Sequence, residues 1–282
     1  MLWVKRQPER NIAAAELPLT LDDELFQHHF LQLTKEMTGA GVEDCLAILN
    51  AKQSLYAAAL KDPQSLRLEE IELLLEQVFT ARRKLFPVLA AFGEAQTGQA
   101  LAQLLRGNEA VTQRMHGFVT AMPIAPGENR NDIKAANKVR RAAWDFAAEL
   151  LHFHDPVRYP LMARWVWDKA TMSGALREFI RGNDHMSEIP FDNRVEIFEA
   201  ARRWLGKRIA DQGIYRDIHF WIDLVLAQAY LGYFRAVAEG NLGVDFGRGI
   251  SQADQLKKLL GIDALRKDGR SRVKKEASIA TH

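Results

Sequence analysis

The sequence predicts an all-α protein, a multi-helix bundle of about ten helices. Three observations predict it. Apolar residues recur at three- and four-residue spacing along most of the chain, as the buried faces of amphipathic helices do. Apart from Pro87, the nine prolines fall at the edges of those patterns or between them. No run of alternating β-branched residues bounded by hairpin turns occurs, so a substantial sheet is not expected. Fixed-period self-similarity, the mark of a solenoid, is also missing.

Taken in order, Leu25, Phe26, Phe30, Leu33 and Met37 set the first helix over Asp22–Met37, with Thr20 or Asp22 as its N-cap and Gly39 and Gly41 closing it. A second runs from Val42 to Lys61 and stops before Asp62-Pro63, because a residue preceding proline disfavours the helical conformation. A third, rich in Leu and Glu, extends from Leu68 to Gly93, where Pro87 should kink or divide it. Shorter helices follow over Gln99–Leu105 and Glu109–Met122. Prolines, a glycine and asparagines then mark a loop over 123–132. Beyond it the spacing gives helices near 132–153, 157–170, 172–181, 192–210, 214–239 and 251–260. In the 214–239 stretch, apolar residues from Ile218 to Phe234 cover most of the circumference, which predicts a largely buried central helix.

The loop suggests an N-terminal helical region over 1–122 and a C-terminal helical core region over 132–262. A basic flexible tail follows over 263–282; the alternative is one continuous domain over 20–262. A chain of 282 residues with 48% hydrophobic content can bury a sizeable core in either arrangement. The net charge of +2 gives no global pull toward nucleic acid or membrane, so any such binding must come from a local patch. A single cysteine, Cys45, excludes an internal disulfide and any multi-cysteine metal centre, and suits a reducing, cytoplasmic location. The N-terminal stretch lacks the continuous apolar run of a secretory signal, and Phe220–Phe234 is too short to span a bilayer; no membrane insertion is expected.

The most informative stretch is 138–168. Asp145, Glu149 and His152 fall on one helical stripe, flanked by Trp144, Phe146 and Phe153. Glu149 and His152 form the E-x-x-H spacing that lets a carboxylate and an imidazole on adjacent turns reach one metal. His219 and Asp223, one turn apart on the central helix, could complete a site for iron, manganese or zinc, with Asp145 in support. A second E-x-x-H is missing, so a solvated, salt-bridged face with an Arg141–Asp145 pair accounts for the stripe more simply. His219–Asp223 then reads as a satisfied core pair.

Other features have ordinary explanations. Asp155 before Pro156 reads as an N-cap with proline at the first helical position. On a helix Trp165 and Trp167 would point about 200° apart, so one should enter the core and the other cap an interface or support Arg164. The glycine-rich loop 240–249 could hold a phosphate near Arg248, but lacks the lysine and hydroxyl residue of a Walker loop and the preceding strand of a dinucleotide loop. Arg266, Lys267, Arg270, Arg272, Lys274 and Lys275 make the one concentrated basic patch, able to attract nucleic acid or an acidic partner.

No complete catalytic or cofactor signature is present. The leading expectation is therefore a non-catalytic accessory or interaction protein with a protein partner and no cofactor. The alternatives are a metal-dependent enzyme or sensor using Glu149, His152, His219 and Asp223, and a nucleic-acid-binding protein using the basic tail.

Overall fold

The computed structural model describes residues 16–37, 41–240, 251–263 and 272–275. The described residues form ten α-helices and no sheet, as the periodicity predicts. They are α1 (Asp23–Glu36), α2 (Gly41–Ala59), α3 (Leu68–Glu76), α4 (Phe86–Phe92), α5 (Glu94–Arg106), α6 (Val111–Ala121), α7 (Arg130–His154), α8 (Val195–Asp211), α9 (Ile218–Gly240) and α10 (Gln252–Leu259). None of the described helices is long and apolar enough to cross a membrane.

Local chemistry sets the ends. The Asp22 carboxylate accepts from the N–H groups of Glu24 and Leu25, satisfying donors that the first turn of α1 leaves open. Asn129 does the same for α7 through Asn131 and Asp132, so that helix begins two residues before its expected start. The Ser251 hydroxyl accepts from Asp254 N at the head of α10. Residues from both sides of the 123–129 connection contribute to one hydrophobic cluster running from Leu21 to Val273. Within it α9 is the central element: Phe220, Leu224, Val225, Ala227 and Ala229 are fully buried, and α1, α8 and α10 pack against it.

Three expected helices take another form. The 68–93 pattern breaks at Glu76, not at Pro87. Residues 77–85 form successive tight turns, in which Val78, Ala81 and Lys84 donate to carbonyls three residues back. Pro87 instead sits in the first turn of α4, where its missing N–H costs nothing.

The expected helix over 157–170 is not formed, and 172–181 is reduced to a short 3-10 turn at Ala175–Phe179. Pro156 and Pro160 remove two donors there. Between Asp155 and Gly174 the chain runs as turns, with one isolated antiparallel bridge between Asp168 and Ser173. Asp155 therefore ends α7 rather than starting a helix, and its carboxylate closes a turn by accepting from Arg158 N. Because this segment is not helical, both Trp165 and Trp167 enter the core, the first against Tyr230 and the second edge-on to Phe191. Arg164 pairs with Asp168 instead.

Candidate functional site

The acidic and histidine residues of α7 lie inside the protein. Asp145, Glu149 and His152 are 3%, 3% and 1% exposed, whereas Lys138 and Arg141 on the same stripe face solvent. The stripe is thus not the solvated face that spacing suggested, and no Arg141–Asp145 pair forms among the described residues. The irregular 155–174 segment meets Asp145 and His152, and α2 lies against Glu149. A buried, non-helical backbone has polar groups that need partners, and the side chains of α7 and α8 supply them. The Arg164 N–H donates to Asp145 Oδ1 at 2.8 Å. Trp144 Nε1 donates to the Met162 carbonyl, and His152 Nδ1 to the Tyr159 carbonyl at 2.9 Å. Arg202 of α8 donates to the carbonyls of Pro156 and Val157.

Glu149 meets a partner that spacing did not reveal. Lys52 of α2 is fully buried, and its Nζ lies 2.7 Å from Glu149 Oε2. The same nitrogen donates to the Gln77 carbonyl at 2.9 Å and the Leu260 carbonyl at 2.8 Å, and sits 3.9 Å from the centre of the Phe153 ring. Burial lowers the Lys52 pKa while the Glu149 charge raises it. Burial likewise pushes Glu149 up to about 7, against the pull of Lys52. Three acceptors around one nitrogen match the three protons of an ammonium, so the geometry favours the charged pair.

Asp223 pairs not with His219 but with His152, whose Nε2 lies 2.8 Å from Asp223 Oδ2. Since the Tyr159 carbonyl only accepts, His152 Nδ1 carries a proton. A second proton must lie between Nε2 and Oδ2, so the pair is either imidazolium–carboxylate or imidazole–carboxylic acid. His219 lines the same small cavity as His152 and Asp223, among Leu161, Val166 and Leu226. Its volume of about 20 Å³ has room for one water-sized molecule. His219 Nε2 is buried there without a hydrogen-bond partner among the described residues, and burial lowers its pKa.

Glu149, His152, His219 and Asp223 therefore come near one another but not as an open ligand set. Glu149 is held by Lys52, and both nitrogens of His152 are engaged. Among the described residues no group of three or more His, Cys, Asp or Glu side chains is placed to hold a metal ion.

Asp145 also lines a large concave feature. It is a groove of about 1400 Å³ walled by three elements and a strap. The 77–85 turns contribute Arg82, Arg83 and Lys84; α7 contributes Lys138 and Arg141; α10 contributes Lys257 and Lys258. Arg272 and Lys274 form part of the rim, and Arg164 and Asp145 line the groove as well. Among the described residues, ten cationic side chains meet three acids there, Asp145, Asp254 and Asp263, in a chain whose whole charge is +2.

Asp263 holds Arg82 through both terminal nitrogens, at 3.0 and 3.3 Å, and also pairs with Arg272. Arg83, Lys84, Lys138, Arg141 and Lys257 form no ion pair among the described residues. Partial burial lowers the Lys84 pKa; Asp145 opposes this, while Lys138, Arg164 and Arg83 push it lower still. Burial pushes Asp145 up to about 6, against the Arg164 N–H and its charge.

The basic tail thus divides. Arg272 and Lys274 belong to the groove, and Lys275 pairs with Glu72 at 2.9 Å. This stretch is docked: Val273 is buried, Arg272 N donates to Glu76 Oε1 and Lys274 N to the Arg82 carbonyl. Arg266, Lys267 and Arg270 lie outside the described residues, as do Arg248 and residues 241–250 of the glycine-rich loop.

Comparison of this chain with protein families, with curated proteins and with solved structures finds no match. Any reading of function therefore stands on the geometry above. Sequence reasoning missed Lys52 and the groove for the same reason: their parts lie far apart along the chain. A hint of the groove was available in the local run Arg82-Arg83-Lys84.

Proposed function

We propose that this protein is an accessory protein that works through macromolecular contact, and that the cationic groove is its contact surface. The partner is anionic. The supporting observation is the cluster of five cations, Arg83, Lys84, Lys138, Arg141 and Lys257, that no carboxylate among the described residues neutralises. Like charges gathered in a concave site repel one another, and focus a field that an anionic partner relieves. We also place the protein in the cytoplasm, on its single buried cysteine.

A metal-dependent enzyme built on Glu149, His152, His219 and Asp223 has less support. It would need both buried pairs, Lys52–Glu149 and His152–Asp223, to come apart.

Retention on immobilised heparin tests the binding reading. The wild-type chain should be retained at low salt and released as salt rises. Arg83→Gln, Lys138→Gln and Arg141→Gln together, all on exposed side chains, should shift elution to markedly lower salt without altering helical circular dichroism. Retention unchanged in that variant, or no retention of the wild type, overturns the proposal.

A further inference from the structure

Resting on the groove reading, we infer that the anionic partner is a nucleic acid, gripped by its phosphate backbone without regard to base sequence. The alternative occupant, an acidic protein surface, meets the wrong lining. Protein–protein contact cores depend on apolar and aromatic anchors seated in desolvated pockets. Of the sixteen described residues that line this groove, only Phe79 and Ala142 are apolar. Interfaces with nucleic acid are, by contrast, more polar and far more positive.

Phe79 does not offer a stacking platform either. The Arg82 guanidinium lies 5.2 Å from the centre of its ring and the Lys258 ammonium 5.3 Å, so both cations already use the aromatic. Without a free aromatic, stacking on bases is not available, and contact falls to the phosphates, which carry no sequence information.

The cations also form a track rather than a point. Arg83 and Lys84 come from the turns, Lys138 and Arg141 from α7, and Lys257 from α10. Charges spread over three elements suit a string of phosphates better than one small anion. Asp145 is the one acid whose charge opposes the lowering of the Lys84 pKa by burial and by the neighbouring cations Lys138, Arg164 and Arg83.

Fluorescence anisotropy tests this with three labelled probes: a short DNA duplex, a single-stranded RNA of unrelated sequence, and a polyglutamate peptide of matched charge. The nucleic acids should bind, and shuffling their sequences should change affinity less than about three-fold, since phosphate contacts do not read bases. For the duplex, log affinity should fall with log salt at a slope of about −4 to −5 if the five unpaired cations each neutralise one phosphate. Lys84→Gln, Lys138→Gln and Arg141→Gln together should flatten that slope by about 2.7. Lys207→Gln, on the exposed face of α8, should leave it alone. Polyglutamate binding as tightly as either nucleic acid would overturn the inference while leaving the groove as an anion site. A slope unaffected by the triple substitution would overturn it too. Failure of all three probes, together with loss of heparin retention, would remove the groove reading itself.

Discussion

Lys52 and Glu149, 97 residues apart in sequence, neutralise one another in the interior of the protein at 2.7 Å. Burying two charges is costly, and their attraction repays this only when geometry is good and the remaining protons are satisfied. Here the carbonyls of Gln77 and Leu260 take the other two lysine protons.

Removing one member should therefore be worse than removing both. Lys52→Met leaves a buried carboxylate without its cation, and should cost about 3–5 kcal/mol in urea unfolding. Lys52→Met with Glu149→Leu should recover a substantial part of that loss. A double variant no more stable than the single one would mean that the lysine's other contacts, not the pair, carry the effect.

The His152–Asp223 bond joins α7 to α9 across the core. His152→Ala or Asp223→Ala should each cost about 3–5 kcal/mol, since each strands the other group. The double substitution should cost clearly less than the two added together, a coupling that a double-mutant cycle measures directly. Simple additivity would show that the two residues do not act as a pair.

Asp145 makes stability depend on pH with a definite sign. Its folded-state pKa is raised, to about 6 from 3.8, so the folded protein holds this proton more tightly than the unfolded chain. Its contribution is unpenalised below about 4, and stability falls as pH rises through 6, by roughly 2–3 kcal/mol in all. Asp145→Asn keeps an acceptor for the Arg164 N–H but cannot ionise. Denaturant titrations should show it gaining on the wild type as pH rises from 4 to 7. A constant difference across that range would count against the assignment.

Gly261 adopts a left-handed conformation, with φ of +69°, and an added Cβ would stand 1.7 Å from the Gln77 carbonyl oxygen. Both facts require glycine. Gly261→Ala should destabilise the protein by several kcal/mol, with the added methyl forcing the end of α10 off α3. An alanine variant with an unchanged melting temperature would show that this contact yields easily.

Much of the fold was legible because helices announce themselves locally. The cap at Asp22 and the buried circumference of α9 both follow from residues within a few turns of one another. The 155–174 segment was not legible, because buried irregular chain also places apolar residues at intervals of three and four. That error propagated into the site. A helical wheel shows that Asp145, Glu149 and His152 share a stripe, but it cannot show whether water or a buried loop lies against that stripe. Lys52 was beyond reach for a related reason: in the alanine-rich α2 it resembles any exposed helical lysine, and its three acceptors lie 25, 97 and 208 residues away. The groove cations were scattered likewise, and only the run Arg82-Arg83-Lys84 and the stretch around Arg272 and Lys274 looked clustered on paper.

One ammonium also determines the shape of a surface it never reaches. Gln77 begins the turns that carry Arg83 and Lys84, Leu260 ends the helix that carries Lys257, and Glu149 shares a helix with Lys138 and Arg141. Lys52 bonds to all three, so it acts as the tie-rod that sets the spacing of the positively charged walls. A polyanion bound there, as proposed, would find those walls already in position and need not draw them together. Cutting the tie from within should splay them apart and weaken binding although every surface charge remains.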